Sequence, residues 1–329
     1  MISAEFPTGR IISAERLIGG YWNSTLHLKC EKGEFVLRIS PERMRPEGMN
    51  AMAALMEYFA AVIPEVPRPL HTDSGSSYLF SNGLVATLWP FLPGDILQRG
   101  DIAATTSAAG ILGRLHIAGM SYPRPFERPG HLPAAALDWD WNVNWSWSEI
   151  DHLLSGGATA LSATLREPVE AEANSSMAEI VARRHQIVEV RTEARDRLNS
   201  LSASGRGLVT APVHGDYYPG NLLTAGGRVT AVLDWDECRA EWLIYELSRA
   251  IWEFCRDGST GVIKEDLSAV FIAAYREINE ALADEMDLLI PLVRVIRAEE
   301  VLFSLGEAAR GQWWDPEYTL YNLVALDNL

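Results

Sequence analysis

The chain has 329 residues, with 28 Lys and Arg against 44 Asp and Glu, which gives a formal net charge of −16. Such an acidic chain is a poor candidate for binding nucleic acid or an anionic membrane surface through bulk charge. Hydrophobic residues make up 48% and charged residues 22%, so the chain can bury a large core and is not expected to be disordered. The length predicts about two domains, or one domain of two lobes.

The chain carries no pattern of a membrane or secreted protein. No run of about 18 apolar residues predicts a membrane span, and the first residues lack the features of a signal peptide. The three cysteines, Cys30, Cys238 and Cys255, are scattered, which fits neither a disulfide framework nor a zinc site. We therefore expect a cytoplasmic protein.

The first 90 residues predict a small, mostly antiparallel sheet with one helix. Alternating apolar residues bounded by Gly, Asn and Pro favour strands. The predicted strands are Arg10–Leu17, Thr25–Cys30, Glu34–Ser40, Tyr78–Phe80 and Leu84–Trp89, and the predicted helix is Asn50–Val62. The last two strands form a hairpin across Ser81-Asn82-Gly83.

After Pro93-Gly94 the pattern becomes mainly helical. Apolar residues at helical spacing predict the following helices, with a β-rich block at Val209–Leu233 among them: Asp101–Gly119, Met177–Leu201, Ile244–Arg256, Lys264–Ala283, Asp287–Arg310 and Pro316–Leu329. The whole predicts an α+β fold with two lobes, residues 1–93 and residues 94–329. The second lobe carries an insert at about residues 120–205.

Polar residues cluster around a predicted hairpin near residue 226. His214-Gly215-Asp216 and Asn221 precede it, and Asp234-Trp235-Asp236 follows it. A turn at Gly226-Gly227 is expected to place residue 221 opposite residue 232. The hairpin then returns Asp234 to the end that carries Asn221.

Two chemical roles follow from this clustering. A carboxylate on Asp234 and an amide oxygen on Asn221 suit Mg²⁺, a hard ion that binds oxygen ligands. Asp216, in the loop just before, can orient a hydroxyl group and accept its proton during phosphoryl transfer. Aspartate and asparagine in such loops are also common turn formers, but three elements in this order favour a functional site.

The series His214-Gly215-Asp216, four residues, Asn221, then Asp234-Trp235-Asp236 resembles the active-site signature of the aminoglycoside phosphotransferase superfamily. That superfamily includes choline kinases and type II homoserine kinases and has the protein-kinase-like fold. The resemblance implies a bilobal fold with a small antiparallel-sheet N-lobe and a larger helical C-lobe. It implies Asp216 as catalytic base and Asn221 with Asp234 as Mg²⁺ ligands. We expect His214 to be structural, with its ring hydrogen-bonded to the loop backbone.

The resemblance also makes residues 1–93 the nucleotide-binding lobe and residues 94–329 the catalytic and acceptor-binding lobe. The turn that contains Gly20 and Ser24 lies where the family has a phosphate-covering turn, since small residues let backbone N–H groups approach phosphate. An ordinary hairpin turn is an equally good interpretation of this segment.

Arg38 stands where the family usually has Lys and can bind phosphate in a bidentate manner. An edge-strand arginine in solvent is the alternative. Glu47 is the first candidate for the helix glutamate that pairs with this cation, and Glu57 is the second. Trp89 and Phe91 flank a proline in the connection that would hold the adenine of ATP.

The acceptor side is predicted from a segment rich in Trp and Asp. Trp139 and Trp141 can hold an ammonium group through cation–π contacts, or they can simply pack the insert onto the lobe. Asp236 and Glu237 are expected to line the acceptor, although an exposed surface position is as good an account of Glu237. Residues 94–329 carry 20 basic and 35 acidic side chains, which favours a cationic acceptor.

These patterns lead to one hypothesis and two alternatives. The chain is expected to be an ATP- and Mg²⁺-dependent O-phosphotransferase that acts on a hydroxyl group of a small cationic or zwitterionic molecule. Amino alcohols, hydroxy amino acids and aminoglycoside-like amines are the candidate acceptors, and neither nucleic acid nor membrane is an expected partner. A nucleotide-binding pseudokinase or regulatory module is the first alternative. A metal-dependent hydrolase is the second, but it needs more ligands than this region offers.

Overall fold

The computed structural model describes residues 2–17, 23–40, 46–142, 145–165, 171–312 and 315–329. The chain forms two compact units. The first unit comprises Met1–His131, Thr210–Ala240 and Ala273–Asn279, and the second comprises Leu132–Val209, Glu241–Ile272 and Glu280–Leu329. The predicted lobe boundary after residue 93 stays a prediction.

Strands and helices together confirm the predicted α+β class. The strands in chain order are β1 Ile11–Leu17, β2 Ser24–Cys30, β3 Gly33–Ser40, β4 Leu79–Ser81, β5 Leu84–Pro90, β6 Asp95–Ile96, β7 Thr210–Val213, β8 Leu222–Ala225, β9 Arg228–Val232 and β10 Arg239–Trp242. The α-helices are α1 Ile2–Glu5, α2 Pro46–Val62, α3 Ile102–Met120, α4 Trp147–Ser155, α5 Gly157–Thr164, α6 Ala171–Ala182, α7 Arg184–Ala203, α8 Leu243–Cys255, α9 Glu265–Ile278, α10 Leu289–Ala309 and α11 Pro316–Asp327.

The first unit contains the predicted antiparallel sheet. Its strand order is β1-β2-β3-β5-β4, so β3 lies in the interior and β1 and β4 form the edges. Alternation places Leu28, Leu37 and Leu88 on one face, where they are buried together with Phe6. The turn between β4 and β5 has positive φ at Asn82 and Gly83, as the Asn-Gly hairpin pattern predicts.

A second, three-stranded sheet in this unit carries the predicted hairpin. Its order is β6-β8-β9, and the turn lies at Gly226-Gly227, both with positive φ. The predicted pairing of residue 221 with residue 232 is wrong by one position, because Leu222 pairs with Val232. A β-bulge in β9 causes the shift, since the extra residue, Thr230, has no partner between the pairs on either side.

Most predicted helices are present with similar boundaries, but α9 ends at Ile278 instead of Ala283, and α1, α4 and α5 have no predicted counterpart. Asp101 caps α3 by accepting a hydrogen bond from the backbone N–H of Ala104 at 3.0 Å. The predicted single helix Met177–Leu201 is wrong, because α6 ends and α7 begins on either side of Arg183. The N–H of Arg183 donates to the carbonyls of both Glu179 and Ile180, which closes α6 in a tight turn without any Gly or Pro.

The second unit packs several helices around α10. This helix contacts α4, α7, α8 and α11, and most of its inward side chains are apolar. Arg297 is an exception, as are Ser304 and Glu307: it is fully buried, lies 3.8 Å from the ring centroid of Trp252 and donates to Asn322 at 3.0 Å. Its guanidinium also lies 3.7 Å from the carboxylate of Glu253. None of the helices in the described residues is both long and apolar enough to cross a bilayer.

Candidate active site

The loop between β7 and β8 carries the first half of the motif and depends on a glycine. Gly215 has a φ of +86°, which disfavours any residue with a Cβ. A Cβ at this position would also overlap the backbone carbonyl oxygen of Glu237. Glycine therefore lets this loop approach the loop that follows β9, and both loops belong to the first unit.

The ring of His214 hydrogen-bonds to both loops and holds them together. Its Nε2 donates to the carbonyl oxygen of Leu233 at 2.8 Å, and its Nδ1 accepts from the backbone N–H of Asp216 at 3.2 Å. The ring is buried against Trp235, with ring centroids 4.7 Å apart. These contacts require the neutral Nε2–H tautomer, and they are the backbone hydrogen bonds expected of a structural histidine.

Asn221 orients the carboxylate of Asp216. Its Nδ2 donates to the backbone oxygen of Asp216 at 2.9 Å and to Oδ2 of the same residue at 3.0 Å. Since both partners are acceptors, the amide nitrogen must face Asp216 and the amide oxygen must face away. No hydrogen bond from the described part of the chain reaches that oxygen.

Asp234 follows β9 at a strained backbone position. The N–H of Leu233 donates to the backbone oxygen of Asn221 at 2.8 Å, so the hairpin returns the chain beside Asn221 despite the shifted register. Asp234 then adopts a φ of +58°, which is uncommon for a residue other than glycine and typical of functional sites. Its side chain remains 38% exposed.

Arg38 of β3 bridges two carboxylates. Its Nη2 donates to Oδ1 of Asp234 at 2.9 Å and to Oδ2 of Asp236 at 2.7 Å. Burial acts to lower the pKa of Arg38, but the charges of Asp236 and Asp234 outweigh it and raise that pKa above its ordinary value. The edge-strand alternative does not hold, because β3 is an interior strand and the side chain is only 15% exposed.

Neither predicted helix glutamate pairs with Arg38. Glu47 is exposed in the first turn of α2, and Glu57 pairs with His71 at 3.1 Å. In the residues that the structure describes, the carboxylates that contact Arg38 come from the loop after β9. Glu47 and Glu57 are therefore not its partners in this structure.

Two residues that the sequence analysis missed hold the loop after β9. Arg128 is buried, and its Nη1 donates to the backbone oxygens of Asp236 and of Cys238, the latter at 3.2 Å. Asn23 donates from Nδ2 to Oδ2 of Asp236 at 3.0 Å. Asn23 belongs to the predicted phosphate turn, which was a usable signal, whereas Arg128 carries no local motif.

The other residues predicted to bind the nucleotide are Gly20, Ser24, Trp89 and Phe91. Gly20 lies outside the described residues, and Ser24 is exposed at the start of β2. Trp89 donates from its indole N–H to Thr87 at 2.9 Å. Phe91 donates its backbone N–H to the carbonyl of Glu34, and its ring, 40% exposed, stacks on His27 at 4.2 Å. Their roles in binding stay predictions.

The predicted acceptor tryptophans belong to the second unit. Trp139 is 3% exposed, as a packing role requires, whereas Trp141 is 61% exposed. Arg191 of α7 places a cation against this segment. Its guanidinium lies 4.4 Å from the ring centroid of Trp147, and its Nε donates to the backbone oxygen of Trp139. Glu237 is exposed in the first unit. That these residues bind an acceptor stays a prediction.

The donor atoms near Asn221 and Asp234 fit a hard divalent cation. No group of three His, Cys, Asp or Glu in the described ranges is placed to hold a metal, and the predicted pair is one carboxylate and one amide. Oδ2 of Asp234 and the amide oxygen of Asn221 accept no hydrogen bond from the described residues, so both are available as ligands. Mg²⁺ commonly takes one or two protein oxygens and completes its shell with water and phosphate.

Comparisons with known proteins identify the family of this chain. The chain matches the family model APH, phosphotransferase enzyme family, over residues 13–281. It is 24% identical to a homoserine kinase of Paramagnetospirillum magneticum over 301 residues, which cover 89% of this chain and 80% of that protein. A homoserine kinase of Gluconobacter oxydans is also 24% identical, over 83% of this chain and 76% of that protein.

Solved structures show the same fold. A microcompartment-associated aminopropanol kinase has a TM-score of 0.66 and 15% identity, with coverage of 95% of this chain and 89% of that one. An amicoumacin kinase, solved with AMP-PNP and Ca²⁺, has a TM-score of 0.62 and 13% identity, with coverage of 96% and 94%. The predicted protein-kinase-like fold is therefore confirmed. The chain belongs to the APH phosphotransferase enzyme family and is a small-molecule kinase.

Proposed function

We propose that this chain is an ATP- and Mg²⁺-dependent O-phosphotransferase that phosphorylates a hydroxyl group of a small amine-bearing molecule. The observation that carries the proposal is the contact between Asn221 and Asp216. One amide holds the carboxylate of a candidate base through its nitrogen and offers its oxygen to a metal. An asparagine that served only to form a turn would not need both the hydrogen bond to Asp216 and an unoccupied amide oxygen.

Asp216 is the proposed general base. Its carboxylate accepts the proton of the acceptor hydroxyl as that oxygen bonds to the transferred phosphoryl group. Asn221 holds the carboxylate from one side, and His214 accepts the hydrogen bond of the Asp216 backbone N–H. Both contacts reduce the rotation that Asp216 must lose when the acceptor binds.

Asn221 and Asp234 are the proposed Mg²⁺ ligands, through their available oxygens. The bound ion would neutralise charge on the phosphates of ATP. The guanidinium of Arg38 would contact phosphate oxygens, which it can bind in a bidentate manner. The turn with Gly20 and Ser24 would cover those phosphates, and the Trp89–Phe91 segment would hold the adenine.

The acceptor is proposed from the relatives and the charge. The curated relatives are named homoserine kinases, so a hydroxy amino acid of that type is the first acceptor to test, followed by amino alcohols. A zwitterion or cation also suits the acidic residues 94–329. Asp236, Glu237, Trp139 and Trp141 remain the proposed acceptor residues. The enzyme names of the relatives do not favour the alternative of a nucleotide-binding module without turnover.

The test is ADP release with ATP and Mg²⁺ across homoserine, aminopropanol, ethanolamine and a set of aminoglycosides. We expect one amine-bearing alcohol to be turned over, with a phosphate ester detected by ³¹P NMR. Asp216→Asn should lower kcat by about 10²–10⁴-fold, because the base is lost while the shape is kept. Asp73→Asn removes an equal charge from an exposed loop of the same unit and serves as the matched control.

Two outcomes would contradict the proposal. Full turnover by Asp216→Asn would remove its mechanism. Absence of turnover with every acceptor, together with stabilisation of the chain by ATP, would favour the nucleotide-binding module instead.

A further inference from the structure

Asp236 has contacts that an acceptor-binding carboxylate would not need. Its Oδ2 accepts from Arg38 at 2.7 Å and from Asn23 at 3.0 Å. Its side chain is 13% exposed, against 38% for Asp234, the other carboxylate on Arg38. Asp236 is therefore the closer and the more enclosed of the two partners of this guanidinium.

The backbone at Asp236 is held in place by the buried residues Arg128 and Trp235. Arg128, itself buried, donates to the backbone oxygen of Asp236. The preceding residue, Trp235, is 2% exposed, and its indole N–H donates to the carbonyl of Val232 at 3.0 Å. A carboxylate on such a backbone can hold a guanidinium in one place at small entropic cost.

The two carboxylates on Arg38 differ in what else they are expected to do. Asp234 is a proposed Mg²⁺ ligand, so its charge is needed by the metal when nucleotide binds. Asp236 is not among the proposed metal ligands, and its Oδ2 also accepts from Asn23, a neutral donor. When Asp234 turns to the metal, Asp236 is the carboxylate that remains on Arg38.

We propose that Asp236 is a positioning residue that holds Arg38 for the nucleotide phosphates, a role for which the sequence suggested a glutamate of α2. The inference rests on the proposed nucleotide chemistry of this site. It also moves Asp236 from the acceptor side to the nucleotide side. Loss of Asp236 should leave Arg38 with Asp234 alone, so that guanidinium and metal compete for one carboxylate.

The experiment measures ADP binding by isothermal titration calorimetry, so it needs neither acceptor nor turnover. Wild type, Asp236→Asn, Arg38→Gln and the double variant form a double-mutant cycle. We expect each single variant to weaken ADP binding by about tenfold, the size of one charge-assisted hydrogen bond. The double variant should bind no worse than Arg38→Gln, because Asp236 acts through Arg38.

Two further readouts separate positioning from a structural effect. The Mg²⁺ concentration that gives half-maximal ADP binding should rise in Asp236→Asn, because Mg²⁺ must displace Arg38 from Asp234. Asp236→Glu should restore most of the affinity, since it keeps the charge. Glu15→Gln, an exposed residue of β1, is the matched control for charge and should bind ADP like wild type.

Each alternative outcome has a definite meaning. Wild-type affinity in Asp236→Asn, or a further loss when it is added to Arg38→Gln, overturns the positioning role. A tenfold loss in Glu47→Gln without one in Asp236→Asn restores the helix glutamate. If wild type binds no nucleotide, the proposed function fails and the inference with it. If Asp236→Asn folds poorly, the double variant still tests the role by comparison with Arg38→Gln, because a further loss of affinity there contradicts it.

Discussion

Arg38 of the first unit and Arg297 of the second unit are both arginines with little exposure, but they are paired in opposite ways. Arg38 of the first unit has two carboxylates within 2.9 Å, and one of these, Asp234, is 38% exposed. Arg297 of the second unit has no exposure, one carboxylate at 3.7 Å, an amide oxygen and the ring of Trp252. The first cation can exchange a partner with solvent or ligand, and the second cannot.

The difference shows how to separate a functional cation from a structural one. A guanidinium with short, partly accessible ion pairs loses little when it changes partners, because water can replace them. A guanidinium enclosed among helices has already lost its hydration, and only the native contacts compensate for that. Substitution of Arg38 should therefore change binding more than folding, and substitution of Arg297 should do the reverse.

The largest effect is expected at Arg297. Arg297→Ala should lower the free energy of unfolding by about 3–5 kcal/mol, because it removes the stack on Trp252 and leaves Glu253 short of a buried partner. Urea denaturation measures the loss. Arg294→Ala, one turn earlier on α10 with a partly exposed pair to Glu193, should cost about 1 kcal/mol or less. Equal losses would break the contrast.

The next largest effect on the free energy of unfolding is expected at Gly215, where two loops of the first unit come into close contact. Gly215→Ala should cost about 2–3 kcal/mol, because the residue needs a positive φ and the new Cβ overlaps the carbonyl of Glu237. The same denaturation assay applies. Gly226→Ala, with a positive φ but open space around it, isolates the dihedral contribution and should cost less.

A smaller effect on stability, which depends on pH, is expected from His131, whose ring lies near the charge of Arg128. Burial, followed by the charge of Arg128, lowers the pKa of His131 to about 4. The unfolded chain binds this proton near pH 6.5 and the native chain does not, so stability should fall as the pH drops from about 6.5 to 4. Relative to His131→Gln, wild type should lose about 1–2 kcal/mol over that range. Thermal unfolding at successive pH values checks this, and parallel curves would contradict it.

The smallest effect on folding is expected at Arg38. Arg38→Gln should change the free energy of unfolding by about 1 kcal/mol or less, because Asp234 is accessible to water and counterions. Arg10→Gln removes a cation whose pair with Glu31 is exposed and is the matched control. A loss at Arg38 as large as that at Arg297 would show that both cations are structural.

The sequence predicted elements whose causes are local. The turn at Gly226-Gly227, the start of the helix at Asp101 and the hairpin at Asn82-Gly83 each depend on residues adjacent in the chain, and the structure has all three. The motif around Asp216 and Asn221 was also readable, since these two residues are five positions apart. Local chemistry of this kind leaves a signal in a single sequence.

Features set by distant contacts were not predictable in the same way. Arg128 reaches the backbone of Asp236 across 108 positions, and Asn23 reaches its carboxylate across 213. No periodicity or motif links such residues. The break at Arg183 likewise has no Gly or Pro to mark it. The partners of an enclosed charge depend on contacts that form only in the folded protein. The sequence therefore suggested a helix glutamate for Arg38, whereas the loop after β9 supplies its carboxylates.

The bulge in β9 determines which sequence changes this hairpin can survive. Thr230 is exposed and is the extra residue between Val229 and Ala231, whose partners Thr224 and Leu223 are adjacent on β8. Deletion of Thr230 should therefore remove the bulge and keep the pairs on both sides, including those that lead to Asp234. An added residue would have no such place in the ladder and would reverse the face of every position beyond it, because side chains alternate along a strand. Natural or designed variants should therefore be able to lose one residue from β9 but not to gain one.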